Sequence, residues 1–461
     1  MSDQVIIGAP TEPIAVAVAP VEYGSFMSGV ALTFGTRMVM LVGMVGSSVV
    51  VARWLGPVGL GMLAVLNTTV MLALQIGSAG LPSANTYFIA RDRKSLGPVW
   101  ANAVAFAIIA GAGLAIAVIA LAEIRPALFG DVPVRLLAII AISIPFQLLV
   151  LLGLNALLAM DRIRQLNLLD SLAPALAFAN AVVVLIILRA NLTTLVVFNT
   201  AVVIGIAVAM VWAVGRLWAR QKERRACRPD FSLLKKMLGY GVKFYVSIMA
   251  SVVIFRADLL IVNHFRGAGE AGVYAVASQV SFLLMMLPAV ISMLLFPRVA
   301  SAQDPRGEFA IQVTRHGSFV MLLMCVVAAT GAFALPWVYG ARFADATIQL
   351  LILLPGVYLV GIESVLVQHF TGTGLPVAIP VFWLITLAVS LGLNLALVPG
   401  FGARGAAVTS TISYALIFVL VTVYFCLKTG RRPAEIFLLR GSELRDLLAR
   451  VRLASPIKAH E

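Results

Sequence analysis

The chain has 461 residues, 61% of them hydrophobic and only 12% charged, and a formal net charge of +14. Soluble domains are about half apolar and a quarter charged, so this composition excludes a water-soluble globular enzyme and a disordered chain, and it points to a polytopic membrane protein. The basic residues collect in short loops, which favours anionic lipids and calls for no nucleic-acid partner.

Taken in chain order, residues 1–25 contain no Lys or Arg, and the apolar stretch from Ile14 to Ala19 is too short for a signal-peptide core. They are predicted to form a cytoplasmic tail ahead of an uncleaved first span. With about 20 apolar residues needed per crossing, the hydropathy pattern predicts twelve spans. They cover residues 27–51, 59–82, 98–122, 136–159, 172–188 and 195–217, then 241–262, 272–297, 317–338, 348–370, 377–398 and 405–427. The fold class is therefore all-α, with twelve transmembrane helices in two six-helix pseudo-repeats around a central cavity. The predicted divisions are an amino-terminal lobe over 26–217, a basic linker over 218–240, a second lobe over 241–427 and a basic tail over 428–461. In that tail Leu444, Leu447, Leu448 and Val451 fall at helical spacing among arginines, which fits an amphipathic helix on the inner leaflet or a solvated basic tail.

Alternate loops differ sharply in basic content: one set holds 24 Lys and Arg residues and the other seven. Short cytoplasmic loops retain such residues, which puts both termini in the cytoplasm. No loop on the opposite side is longer than about a dozen residues, too short for an independent catalytic domain. The three cysteines, Cys227, Cys325 and Cys426, have neither paired nor metal-ligand spacing, so no disulfide framework, metal site or cofactor is expected.

Ionisable residues within apolar spans mark functional positions. Arg37 lies deep in the first span, about 15 Å from its start at 1.5 Å per residue. It either lines a hydrated, substrate-facing cavity, with Thr33 and Ser48 on its side of the helix, or pairs with a carboxylate that locks two helices. Span two adds Asn67, Gln75 and Ser78 at near-helical spacing, as cavity lining or interhelical hydrogen bonding. In span seven, Arg256 and Asp258 are two residues apart and point to different sides, Asp258 sharing a second polar, cavity-lining stripe with Ser247 and Ser251, while Arg256 either faces the cavity or snorkels to the exterior surface. Glu363, central in span ten after an expected kink at Pro355, either couples transport to H+ or Na+ or serves as a fixed counter-charge to Arg37 or Arg256. His369 is expected near the surface at the end of that span.

Residues 51–65, Val-Ala-Arg-Trp-Leu-Gly-Pro-Val-Gly-Leu-Gly-Met-Leu-Ala-Val, return as residues 262–276, Val-Asn-His-Phe-Arg-Gly-Ala-Gly-Glu-Ala-Gly-Val-Tyr-Ala-Val. The identical pairs are Val51/Val262, Gly56/Gly267, Gly61/Gly272, Ala64/Ala275 and Val65/Val276. Both copies fall between two spans, as expected of a transporter with parallel repeats and a site at their interface. The glycines predict tight exterior turns over 56–61 and 267–272, with Arg53 and Arg266 flanking the exit of the cavity. The cationic bias of Arg37, Arg256, Arg53 and Arg266 implies an anionic ligand. Guanidinium forks suit phosphate, and a lipid-linked phosphate or pyrophosphate fits a membrane-embedded basic cavity.

The segment Ala-Arg-Trp-Leu-Gly-Pro-Val-Gly-Leu-Gly at 52–61 resembles the signature after the first helix of Wzx-type polysaccharide flippases. The stretch from Gly77 to Ala90 resembles the end of their second helix, and Val398 to Ala407 resembles a turn they carry before the last span. These are members of the multidrug/oligosaccharidyl-lipid/polysaccharide flippase superfamily. The resemblance implies two six-helix lobes around a cationic cavity, alternating access, an undecaprenyl-pyrophosphate-linked oligosaccharide as cargo, and polysaccharide polymerase among the assembly partners. It implies no enzyme. Related lipid II flippases also carry arginine in the first helix but usually have fourteen helices. Multidrug relatives typically carry a carboxylate there, where this chain has Arg37.

Overall fold

In a computed structural model, residues 23–286, 288, 308–372, 376–433 and 436 are described, and all regular elements among them are helical. In chain order they are α1 (Tyr23–Ser78), α2 (Leu81–Arg91), α3 (Leu96–Ile124), α4 (Val134–Ala141), α5 (Ser143–Ala159), α6 (Ile163–Ala181) and α7 (Leu192–Ala219). These are followed by α8 (Phe231–Leu284), α9 (Glu308–Gly331), α10 (Leu335–Tyr339), α11 (Asp345–Gly372) and α12 (Ala378–Thr429). Among the described residues, nine helical stretches are long and apolar enough to cross a bilayer. On α3, Ile109, Ile116 and Ile124 are 75%, 67% and 73% exposed along one stripe, an apolar surface that lipid solvates and water does not. The chain is a multi-pass membrane protein. The helix expected in the tail, the end of the eighth span and the side chain of Thr33 lie outside the described residues.

Three long helices fold at a single glycine: Gly56 in α1 (φ 70°), Gly267 in α8 (φ 82°) and Gly402 in α12 (φ 60°). Only glycine adopts this left-handed backbone without steric cost. At Gly56 the following Pro57 adds to the break, because it disfavours helical geometry in the residue before it and then starts a new helix without needing an N–H partner. The predicted exterior turns over 56–61 and 267–272 therefore contract to one residue each, as does the expected turn over 398–407. Gly61 and Gly272 lie inside the arms that follow, with a different task.

That task is close packing. A Cβ on Gly61 would fall 1.7 Å from the Ala268 carbonyl oxygen, and one on Gly272 would fall 2.0 Å from the Pro57 carbonyl oxygen. In the register of the repeat Pro57 corresponds to Ala268 and Gly61 to Gly272, so these two contacts are images of one another across a pseudo-twofold axis. The repeated valines Val51, Val65, Val262 and Val276 are all fully buried in one hydrophobic cluster at this seam. A second glycine contact closes the other end of the two halves. There Gly80, before α2, meets Gly241 of α8, and a Cβ on either would lie within 2.6 Å of the other's carbonyl oxygen. The Tyr245 hydroxyl donates to the carbonyls of Gln75 and Ile76 at 2.7 Å, and Tyr87 stacks on Tyr240 at 4.4 Å.

Several local expectations change. Helix α6 starts at Ile163, ahead of the span predicted from 172, because the polar run Arg-Gln-Leu-Asn at 164–167 lowers hydropathy without stopping a helix. Helix α8 starts at Phe231, well before 241, its amino terminus capped by the Asp230 carboxylate, which accepts from the Leu233 N–H at 3.1 Å. Pro355 lies within α11, where the helix continues. His369 is buried rather than superficial, its ring 5.3 Å from that of Phe425.

Candidate functional site

Gly43 and Gly46 of α1 bring α6 close. A Cβ on Gly43 would fall 2.5 Å from the Pro174 carbonyl oxygen, and one on Gly46 would fall 2.8 Å from the Phe178 ring. One to two turns earlier on the same interface, the Arg37 guanidinium reaches Asp170 of α6 at 3.4 Å. Arg37 is 43% exposed and Asp170 26%, so the pair is open on one side. The partner is neither Asp258 nor Glu363, the acids considered from sequence. Asp170 escaped that reading because the fifth span was started after it. Ser48, expected on the stripe of Arg37, bonds instead with the Tyr339 hydroxyl at 3.1 Å.

Arg256 of α8 sits differently. Its guanidinium carbon stands 4.5 Å over the Phe282 ring, and its buried Nε has no hydrogen-bond partner among the described residues. Beside it lies a cavity of about 20 Å³, lined also by Tyr274, Ser278, Ser281, Met285 and Tyr414. That volume admits about one water molecule. Gln279, three residues before Phe282, donates through Nε2 to the Met44 carbonyl at 3.2 Å. This bond ties α1 to the second arm of α8. It sets Arg37, about 10 Å before Met44 along α1, and Phe282 beyond Gln279 on the same side of that tie.

Asp258 forms no ion pair with Arg256, although the two charges are near enough to attract. Its carboxyl accepts from the Tyr274 hydroxyl, from the Ser410 hydroxyl at 3.1 Å and from the Leu259 N–H at 2.7 Å. This buried knot joins both arms of α8 to α12, whereas the sequence reading had placed Asp258 on a cavity wall. Tyr274 and Ser410 had no signal of their own, since each lies in an ordinary apolar run. Glu363 is buried on α11, with its Oε1 unpartnered among the described residues, and it pairs with neither Arg37 nor Arg256.

The remaining positions scatter. Asn67 is exposed and Gln75 half-buried, and the structural bond at Gln75 is made by its backbone carbonyl. Arg53 does not stand free at an exit: its Nε donates to the Val338 carbonyl at 2.9 Å and its Nη2 to that of Trp337, capping the end of α10. Arg266 pairs with Glu270 at 3.1 Å, and Glu270 in turn accepts the Ala403 N–H at 2.7 Å, fastening the kink of α8 to that of α12. Arg53 thus caps a short helix and Arg266 fastens two kinks, roles their spacing from the repeated glycines did not reveal. Among the described residues no group of His, Cys, Asp and Glu forms a metal-binding cluster.

Glycine-hinged apolar helices that meet in a reciprocal seam, with arginines on either side of it, define a helical multi-pass membrane protein. The chain belongs to the polysaccharide biosynthesis protein family, whose model matches residues 27–303. It is 21% identical over 226 residues to the probable low-salt glycan biosynthesis flippase Agl15 of Haloferax volcanii, covering 48% of this chain and 47% of that protein. It is 26% identical over 227 residues to the probable multidrug resistance protein NorM of Agrobacterium fabrum, covering 45% and 48%. The chain thus spans about half the length of the curated relatives it matches. Its fold matches that of an inward-facing multidrug resistance transporter of the MATE family with a TM-score of 0.73 at 13% identity, over 87% of this chain and 98% of the other. It also matches the lipid II flippase MurJ in an inward closed conformation with a TM-score of 0.72 at 14% identity, over 94% of each.

Proposed function

We propose that the protein is a flippase that moves an undecaprenyl-pyrophosphate-linked oligosaccharide from the inner to the outer leaflet of a bacterial cytoplasmic membrane. The glycan would serve exopolysaccharide, O-antigen or capsule synthesis. Both termini are cytoplasmic, and each arm of the hinged helices crosses the membrane, giving twelve spans. The observation that carries this reading is Arg37, a half-exposed guanidinium within an apolar helix of a polysaccharide biosynthesis family member. A guanidinium has five donors and engages one carboxylate through part of them, leaving donors for a phosphate. The head group enters from the cytoplasm, exchanges for part of the Arg37–Asp170 contact, and leaves when the lobes rock about the glycine seam, while the polyprenyl tail stays in lipid. Arg256 offers the second guanidinium. Glu363, buried and paired with no cation among the described residues, is the group through which H+ or Na+ coupling would act.

Translocation of a labelled lipid-linked oligosaccharide in proteoliposomes tests the assignment. Arg37→Ala is expected to slow transport at least about tenfold, the loss of one charge-assisted phosphate contact. Unchanged transport by a folded Arg37→Ala protein removes that residue from the path. Collapse of the ion gradient should slow the wild type and leave Glu363→Gln unaffected, and equal rates in the wild type with and without a gradient end the coupling role.

A multidrug antiporter is the second reading, favoured by the match to NorM and by the fold shared with the MATE transporter. The cationic Arg37 opposes it, because a basic path repels the cationic drugs such a carrier would export. Drug susceptibility of a host overproducing the protein separates the two: raised resistance without oligosaccharide transport replaces the flippase reading.

A further inference from the structure

The segment between α7 and α8 is the most basic interior stretch of the chain, and the transport path proposed above makes no use of it. Its walls are pinned. Asn102, buried on α3, donates through Nδ2 to the Asp230 carbonyl at 2.9 Å and accepts the Asp230 N–H at 2.8 Å. Trp218 Nε1 donates to the Arg225 carbonyl at 3.0 Å, and Gln221 Nε2 to the Arg93 carbonyl at 2.9 Å. Lys94 pairs with Glu223, and Arg225 with Asp92 at 2.9 Å. Eleven residues outside the helices, 220–230, are thereby held as a fixed strap across the start of α3.

Under the strap lies a cavity of about 410 Å³ lined by Pro98, Arg225, Arg228, Asp230, Ser232 and Lys236. Arg225 is already engaged by Asp92, and one Asp230 oxygen is used as the cap of α8. Arg228 and Lys236 are paired with no carboxylate among the described residues, so the cavity keeps a cationic excess. Its depth in the membrane is marked by aromatic side chains. Phe231, the first residue of α8, is 80% exposed beside it, and on α7 the Arg216 guanidinium stands 5.0 Å over the exposed Trp212 ring. Exposed aromatics interleaved with basic residues at helix ends belong at the level of lipid head groups.

We propose that this strap cavity binds the phosphate of a membrane lipid head group. Arg228 engages it through its planar fork, Lys236 supplies a second positive charge, the Ser232 hydroxyl donates, and the lipid chain runs past Phe231 into the bilayer. The volume lies within the usual range for a small-molecule site, about 300–1,000 Å³, and accommodates a whole head group. The shared chemistry is a lipid-borne phosphate, carried either by an anionic glycerophospholipid or by a polyprenyl pyrophosphate. The site stands whatever cargo the protein moves, because its test reads binding and not translocation.

The full chain in detergent is titrated with dioleoyl phosphatidylglycerol, dioleoyl phosphatidylcholine, farnesyl pyrophosphate and inorganic phosphate, and bound molecules are counted by native mass spectrometry. One phosphatidylglycerol or one farnesyl pyrophosphate is expected to bind at least about tenfold tighter than phosphatidylcholine. The variant R228A/K236A should lose that preference with an unchanged melting curve, and the ligand whose binding falls further identifies the source. The equally exposed pair Arg162 and Arg164 provides the control for general surface charge. Undiminished binding of both lipids by R228A/K236A, an equal loss in R162A/R164A, or displacement of both lipids by inorganic phosphate overturns the proposal.

Discussion

Arg37 and Arg256 lie in apolar helices of opposite halves, and the protein treats them differently. Arg37 is half-exposed and faces Asp170 across a glycine-lined contact between α1 and α6. Arg256 has a buried Nε with no partner among the described residues and rests on the Phe282 ring, while the nearest acid in sequence, Asp258, is occupied by Tyr274 and Ser410. A guanidinium matched by a local carboxylate is stable without a ligand, whereas an unmatched one in a low-dielectric site is costly until water or an anion reaches it. On the proposed transport path the first is therefore the contact that would open and close, and the second the added attraction for an anionic head group.

The largest expected effect comes from Asp258, the acid nearest the second arginine in sequence. Asp258→Ala removes the acceptor of two buried hydroxyls and should cost about 3 kcal/mol or more, at roughly 1–3 kcal/mol for each buried group left unsatisfied. Thermal unfolding in detergent measures it. If Asp258 were the counter-ion of Arg256, a second change, Arg256→Met, would restore much of the loss; the geometry predicts that it restores almost none.

Next in size is the asymmetry around Arg37. Asp170→Asn leaves the guanidinium in place and releases it from its carboxylate, so transport should stay within about threefold of wild type, under 1 kcal/mol of transition-state free energy, against the tenfold loss expected for Arg37→Ala. Proteoliposome rates for the two variants decide the matter, since equal loss in both would make the pair a structural lock. A smaller effect is expected on stability from Arg256→Met. Exchanging a half-buried guanidinium whose Nε has no hydrogen-bond partner among the described residues for an apolar chain of similar length should leave the melting temperature unchanged or raise it, although transport falls. A lowered melting temperature would show that Arg256 is already satisfied in the folded state.

The sequence revealed the arginines but not their settings. Hydropathy located the apolar stretches, and the 51–65/262–276 match anticipated the two glycines, Gly56 and Gly267, that hinge α1 and α8, because a left-handed backbone position restricts residue type strongly. What stayed hidden depended on distance along the chain. Asp170 was excluded by a hydropathy window that registers polarity and not helix continuation. The carbonyl partners of Arg53 and the Glu270–Ala403 bond beside Arg266 are backbone contacts, which leave no trace in side-chain type. Glu363 was legible as a buried acid but not as one separate from both arginines, since sequence carries no measure of which helix faces which.

The smallest effect is expected where the same kind of pair stands in water. Glu223, on the strap between α7 and α8, and Lys94, just before α3, are the exposed counterpart of Asp170 and Arg37. The hydrogen bond from Lys94, and then its charge, holds the Glu223 carboxyl below its ordinary range, and Glu223 likewise holds the Lys94 ammonium above its own. The contribution of Glu223 is complete above the ordinary glutamate value and fades as pH falls through the lowered one. That of Lys94 is complete below the ordinary lysine value and fades as pH rises through the raised one. The pair therefore acts at full strength between about pH 5 and pH 10. Yet solvent and salt screen it, so Glu223→Gln should leave the melting temperature almost unchanged across that window and still less affected at high ionic strength. Melting curves of Glu223→Gln and Asp170→Asn side by side then read the difference between water and membrane. A drop as large for Glu223 as for Asp170 would mean that the surroundings of Arg37 are as wet as the strap, and the case for a membrane-embedded, ligand-exchanging arginine would lose its physical basis.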